Sequence, residues 1–317
     1  MGRSYWAYAA VLGFGLVLPS AVALAQPAVA PTGVTVQSVR NTPHPSKDNS
    51  PAGKADFRDL PSVVAGTVHN GEPADPGEWP ATMISRPSGC TATLVGPRIV
   101  LTAAHCVDHG GRVMFWIAGR TREASCFHHP DYSPDGKKWA QTSADYAVCA
   151  IDAGHKVQGV PFEIVGAGPL FGVGEKVKLL GFGCNGTTID SDGYGTLRVA
   201  AAGIEQLPSP PVQYFVSDWS IGGFKHAKGG VVCPGDSGGA VYWPVQGLRR
   251  IVALNSRTGV EADERTLNGK SYLSSVLSQS GLTKSPYDFL KMWSTAEYGG
   301  ICGIPMDSGA TMVGCRQ

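Results

Sequence analysis

The stretch VVCPGDSGGAVYW, residues 231–243, places Ser237 between an aspartate and two glycines and runs straight into a β-branched and aromatic segment. Glycines on both sides permit a tight turn, and the run that follows reads as a strand. Two meanings compete. The turn is an ordinary glycine-rich connection, or it presents a serine hydroxyl as a nucleophile, with the backbone N–H groups of Gly235 and Ser237 aimed at one spot. A serine hydroxyl is a weak nucleophile near neutral pH. The second meaning therefore requires a base, and a group to orient that base, elsewhere in the chain.

Outward from this turn the pattern is that of strands. From Val68 onward, short runs such as TATLV, RIVLTAA, RVMFWIA, YAVCAI, KVKLLGF, TLRVAAAGI and RRIVALN recur between Gly, Pro, Asp and Asn. Runs this short and regular predict an all-β chain of antiparallel sheets closed into barrels, not alternating βαβ units. The 42 glycines and 23 prolines agree with many tight connections. Only two stretches favour helix: the AAHC turn after Thr102, and SPYDFLKMW at 285–293, where Ser285 can cap and Phe289, Leu290 and Trp293 share a face.

The ends are read differently. Residues 1–25 carry Arg3, an apolar run and the small-residue stretch AVALA, which predicts a secretory signal peptide rather than a membrane anchor. Residues 26–67 are polar, with no sustained apolar period, and read as a leader. With 26 basic and 25 acidic residues there is no global field to gather nucleic acid or an anionic membrane. Eight cysteines in an exported chain, with no CxxC pair, point to disulfides and away from metal. His128 and His129 lack a ligand partner at metal spacing and are expected to be solvated loop residues. Asn185-Gly186-Thr187 fits a glycosylation acceptor, a pattern common by chance, and DSDG at 190–193 is expected to be a turn and not a calcium loop.

The partners that Ser237 needs are present. TAAHC supplies His105 and SADYAVCAI supplies Asp145 at the start of an apolar strand. Each piece alone is ambiguous; the three in the order His, Asp, Ser, each with its flanks, form a joint pattern. On LTAAHC, DYAVCAI and CPGDSGGA the chain resembles the chymotrypsin-like, or trypsin-like, serine peptidases from about Val68 to about Trp293.

That resemblance implies two antiparallel six-stranded β-barrels with a C-terminal helix, in a peptidase domain spanning 68–295. The first barrel covers about 68–172 and the second about 173–295, with a disulfide-closed tail at 296–317. It assigns His105 as general base, Asp145 as its orienter, Ser237 as nucleophile, and the N–H groups of Gly235 and Ser237 as the oxyanion hole. VHNGEPADPGEWPAT, residues 68–82, resembles the family's mature amino terminus, so cleavage after Thr67 would free Val68 to pair with Asp236. Family precursors are commonly cut after a basic residue, whereas the nearest upstream arginine is Arg58; either an activating peptidase of another preference acts here, or the junction lies elsewhere. The resemblance also implies the pair Cys90–Cys106; the family's partner for Cys233 is missing from residues 254–270, so Cys233 is expected to pair with Cys184, with Cys126–Cys149 tying neighbouring strands and Cys302–Cys315 closing the tail. It implies a monomer acting on protein or peptide substrate, with no cofactor. The rival is a non-catalytic or permanently locked binding protein on the same scaffold.

By the same resemblance Val231, six residues before the serine, lies at the pocket floor with Val232 beside it. An apolar floor cannot offset the desolvation of a lysine or arginine, so cleavage after basic residues is not expected. Asn255, Ser256 and Arg257 stand where the family often has Ser-Trp-Gly, and Lys270, Ser271 and Tyr272 where it often has Gly-Val-Tyr. Arg257 and Lys270 extend into solvent, enter the pocket to select acidic or polar residues, or partly fill it.

Overall fold

The computed structural model describes residues 71–134, 143–166, 172–184, 194–209, 214–219, 230–245, 247–263, 266–277, 285–306, 308–309, 312 and 314–316. In chain order its strands are β1 (Glu72–Pro73), β2 (Thr82–Arg86), β3 (Thr91–Leu94), β4 (Ile99–Thr102), β5 (Arg112–Ile117), β6 (Arg120–His128) and β7 (Ala147–Ile151). They continue as β8 (Ile164–Val165), β9 (Lys176–Gly181), β10 (Arg198–Gln206), β11 (Tyr214–Trp219), β12 (Ala240–Val245), β13 (Leu248–Asp263) and β14 (Thr266–Ser275). The helix α1 (Pro286–Trp293) follows. The signal peptide, the leader with the Thr67–Val68 junction, Asn185–Thr187 and the 190–193 turn lie outside the described residues.

Strands β2-β3-β4-β7-β6-β5 close into a barrel, β5 returning to β2 through Ser85↔Phe115. The second sheet also closes: β9-β10-β11-β14-β13-β12 return to β9, with Val199↔Leu180 on one side of β9 and Val241↔Leu179 on the other. The fold is chymotrypsin-like. Two short strands that precede residue 172 in sequence belong to the second sheet: β1 pairs with β10, and β8 pairs in parallel with β13.

Side-chain alternation explains how the barrels meet. On β4, Val100 points into the first barrel with Leu94, Phe115 and Ile151, while Ile99 and Leu101 point outward against Leu180, Tyr242 and Leu254 of the second. β7 does the same, with Cys149 inward and Val148 outward. Strands buried on both faces read as continuous apolar runs, which is why IVLT and AVCAI were visible in the sequence. Strand β5, with Arg112, Met114 and Trp116 exposed and Val113, Phe115 and Ile117 buried, has a face toward solvent.

Helix α1 starts at Ser285, whose hydroxyl accepts the Asp288 N–H at 3.1 Å and donates to the Asp288 carboxylate at 2.8 Å, with Pro286 in the first turn. Its Phe289 packs on His129, which is buried against Tyr146; His128 is half-buried and bonded to the Val107 carbonyl at 2.7 Å. His129 is therefore not solvated, because the helix covers it, and His128 is a half-buried strand residue and not a solvated loop residue. The disulfides are Cys90–Cys106, Cys126–Cys149, Cys184–Cys233 and Cys302–Cys315. Among the described residues no helix is long and apolar enough to cross a membrane.

Candidate active site

β4 delivers the chain to a single helical turn, Ala104–Cys106, that carries His105 and is pinned by the Cys90–Cys106 bond. Asp145 lies just ahead of β7, fully buried. Strands β4 and β7 are hydrogen-bonded neighbours, so the two residues meet: Nδ1–H of His105 donates to Asp145 Oδ2 at 2.7 Å, and the His105 backbone N–H donates to Oδ1 at 2.9 Å. With the proton held on Nδ1, the other ring nitrogen, Nε2, carries the lone pair.

Burial alone would raise the Asp145 pKa. The nearby His105 charge, the His105 ring N–H, the Ser256 hydroxyl and the His105 backbone N–H outweigh it, and the carboxyl is held below its ordinary value. The third partner was placed elsewhere by the sequence. Ser256, expected in the pocket wall, donates to Asp145 Oδ2 at 2.5 Å. Since its one proton is engaged there, the Tyr214 hydroxyl, 3.3 Å away, donates to Ser256 in turn.

Ser237 follows β11 and precedes β12, on a turn gripped by the first barrel. Thr91 of β3 donates its backbone N–H to the Ser237 carbonyl at 2.9 Å and its hydroxyl to the Gly235 carbonyl at 2.8 Å. The Thr91 hydroxyl also accepts the Phe182 N–H at 3.0 Å. Gly235 sits at φ +94°, a conformation L side chains rarely adopt, and Gly238 at φ +79° has no room for a Cβ beside Thr102 Oγ1 and the Thr91 carbonyl. Among the described residues neither the Gly235 nor the Ser237 N–H donates to a protein acceptor. The Ser237 hydroxyl donates to the Ser256 carbonyl at 3.4 Å, a long bond.

Asp236 is fully buried behind this turn, accepting the Gly183 N–H at 2.7 Å and the Cys233 N–H at 2.9 Å. Val68 lies outside the described residues. At Gly71, the first described residue, the carbonyl accepts from the Arg198 guanidinium, and the Ala74 N–H bonds to the Leu197 carbonyl at 2.9 Å.

The pocket residues divide. Val231 and Val232 are buried, and the Val232 N–H donates to the Ser271 hydroxyl at 3.0 Å. Thr258, which the sequence did not single out, donates its hydroxyl to the Val232 carbonyl. Asn255 is not a wall: it is fully buried and its amide bonds the Leu180 and Asp236 carbonyls at 3.0 and 3.2 Å, bracing the serine turn. The offset has a physical cause. The β13–β14 register slips between Asn255 and Arg257, and the bulged Ser256 turns toward Asp145. Lys270 is placed only by its backbone, opposite Gly259 in β14.

Cys90, His105 and Cys106 lie close enough to suit a metal ion, but both sulfurs are in one disulfide and offer no thiolate. A cavity of about 360 Å³ lined by Trp79, Tyr242, Arg249 and Arg316 shares no residue with the His105–Asp145–Ser237 group.

Comparison with known proteins places these features. Residues 68–276 match the trypsin family. No curated protein sequence matches the chain. Among solved structures it is similar to a mutant of human heparin binding protein (CAP37), at 16% identity and a TM-score of 0.47, over 65% of this chain and 90% of that one.

Proposed function

The chain belongs to the trypsin family, and from that premise we propose that it is an exported serine endopeptidase made as a precursor. The observation that carries the reading is the fully buried Asp145 carboxylate bonded to His105 Nδ1 at 2.7 Å, which fixes the tautomer that leaves Nε2 as base.

The Ser237 hydroxyl oxygen attacks the carbonyl carbon of the peptide bond while its proton passes to His105 Nε2. The negative charge that forms on the carbonyl oxygen takes the N–H groups of Gly235 and Ser237, which among the described residues have no protein acceptor to give up. His105 returns the proton to the departing amine as the C–N bond breaks, leaving an acyl-enzyme. Water, deprotonated by the same nitrogen, then releases the acid and restores Ser237. The imidazolium present between these steps is balanced by Asp145, itself held by Ser256.

Beyond Asn255 the β12 side of β13 has no paired strand among the described residues. An extended peptide bonded to that free edge would bring its carbonyl to Ser237. Activation would follow cleavage after Thr67: two residues, His69 and Asn70, lie between Val68 and the anchored Gly71, a span of at most about 10 Å of extended chain, and the new ammonium would join the buried Asp236.

Labelling of the amino-terminally processed protein by a fluorophosphonate tests the reading. Modification at Ser237, lost in Ser237→Ala together with turnover by several orders of magnitude, is expected. A processed chain that is not labelled would be a binding protein on this scaffold. Amino-terminal sequencing of the secreted form, expected to begin at Val68, tests the activation step separately.

A further inference from the structure

Among the described residues Arg257 is a cation without an anion, one residue from the nucleophile's partner. It follows Ser256, whose carbonyl accepts the Ser237 hydroxyl. Its guanidinium carbon lies 5.9 Å from the centre of the Tyr214 ring. Its Nε is buried with no hydrogen-bond partner, and among the described residues the side chain makes no ion pair. Arg249 bonds Glu163 through two nitrogens and Arg112 bonds Glu123 and Asp152, whereas the Nε atoms of Arg122 and Arg198 are buried without a hydrogen-bond partner as that of Arg257 is; of these, Arg257 is the one that adjoins Ser256. A half-buried donor with no acceptor is costly, and an aromatic face offsets only part of that cost. The missing acceptor would come from whatever lies along the free edge of β13.

We propose that Arg257 binds an acidic side chain of the peptide substrate adjoining the cleaved bond, which makes acidic peptides the preferred substrates; this rests on the endopeptidase reading above. The acidic group is held at the rim and not in the pocket. The pocket floor is apolar at Val231 and Val232, and the Thr258 hydroxyl, bonded to the Val232 carbonyl, spans the space between that segment and β13. A carboxylate placed there would be desolvated without a partner. At Arg257 it meets a planar fork of donors suited to two parallel bonds.

The test is a set of fluorogenic peptides that place Glu, Gln or Lys at each position flanking the bond, assayed with the processed enzyme and with Arg257→Met, Arg257→Lys and Arg257→Glu. The wild type is expected to favour Glu over Gln by about tenfold or more in kcat/KM at one position, and less at high salt. Arg257→Met should bring that ratio to about one, Arg257→Lys should retain part of it, and Arg257→Glu should favour Lys. Because each ratio is taken within one enzyme, partial loss of folded protein does not alter it. A labelled, active wild type with no Glu preference at any position, or a preference that survives in Arg257→Met, overturns the proposal. An unlabelled wild type overturns the endopeptidase reading instead.

Discussion

The Ser256 hydroxyl donates to Asp145 at 2.5 Å, across the boundary between the barrels. Asp145 and His105 come with the first barrel, while Ser256 comes with β13 of the second, so the carboxylate that orients the imidazole is itself oriented by the domain that carries Ser237. Ser256→Ala removes that donor and leaves the fully buried Asp145 with the two N–H groups of His105. Hydrogen bonds to charged groups contribute about 1.5–3 kcal/mol. The expected outcome is a fall of roughly tenfold in the rate of fluorophosphonate labelling, with a lower urea midpoint. An unchanged labelling rate would show that Ser256 does not act on the site.

Asp145 also gives the protein an acid-sensitive component of stability. Its carboxyl is held below the ordinary 3.8 in the folded chain. A depressed carboxylate contributes stability that is present above the unfolded value and lost as pH falls through the folded one. Asp145→Asn should therefore be less stable than the wild type at neutral pH, and the difference should shrink as the pH is lowered below 3.8. Urea midpoints of both proteins across that range check it; a constant difference would mean that the carboxylate is not stabilised by its partners.

On the endopeptidase reading, Thr258 would make the substrate pocket shallow. Its hydroxyl ties β13 to the Val232 carbonyl, whose own N–H is held by Ser271 of β14. The segment at the pocket floor is thus fixed from both strands. Thr258→Gly removes the bar and opens space above Val231. Burying a Phe side chain is worth about 1.5–3 kcal/mol, so cleavage after Phe relative to Ala should rise by roughly tenfold or more in the variant. Peptides differing only at that residue give the ratio, and a ratio equal to that of the wild type would refute the bar.

What the sequence disclosed depends on how each feature is encoded. Strands buried on two faces, β4, β7 and the first half of β12, are continuous apolar runs and were legible. Strand β6 was not: RTREASCFH sends Arg120, Thr121 and Glu123 to solvent, and its identity comes from its ladder with β5. His105, Asp145 and Ser237 were legible because their neighbours are stereotyped by the turns they must form. Thr91 was hidden, since its role lies in bonds to Gly235, Phe182 and Ser237, which are 91 or more positions away in sequence. The Asn255–Ser256 offset was hidden for another reason. A β-bulge adds one residue to a strand without changing its composition, so a motif can be matched one position out until the register is seen.

The tail and the link between the barrels meet at a buried charge that distinguishes two neighbouring arginines. Glu163 is fully buried in the connection after β7; the flanking Phe162 N–H bonds the Gly314 carbonyl at 2.8 Å, and the Val165 N–H bonds that of Cys302 at 2.8 Å. Arg249 of β13 reaches Glu163 with Nε at 3.0 Å and Nη2 at 2.5 Å, and stacks 3.5 Å from the centre of the Trp79 ring. Arg316 of the tail approaches only to 3.6 Å and is more exposed. Removing one partner of a buried pair costs about 3–5 kcal/mol, whereas an exposed pair is worth about 0–1 kcal/mol. Arg249→Met should therefore destabilise the protein by about 3 kcal/mol or more, and Arg316→Met by under about 1 kcal/mol. Adding Glu163→Leu to Arg249→Met should recover most of the loss, because it removes the stranded carboxylate along with its partner. Urea unfolding under non-reducing conditions measures all three. Equal losses in the two arginine variants would mean that the tail, and not β13, carries the counter-charge for Glu163.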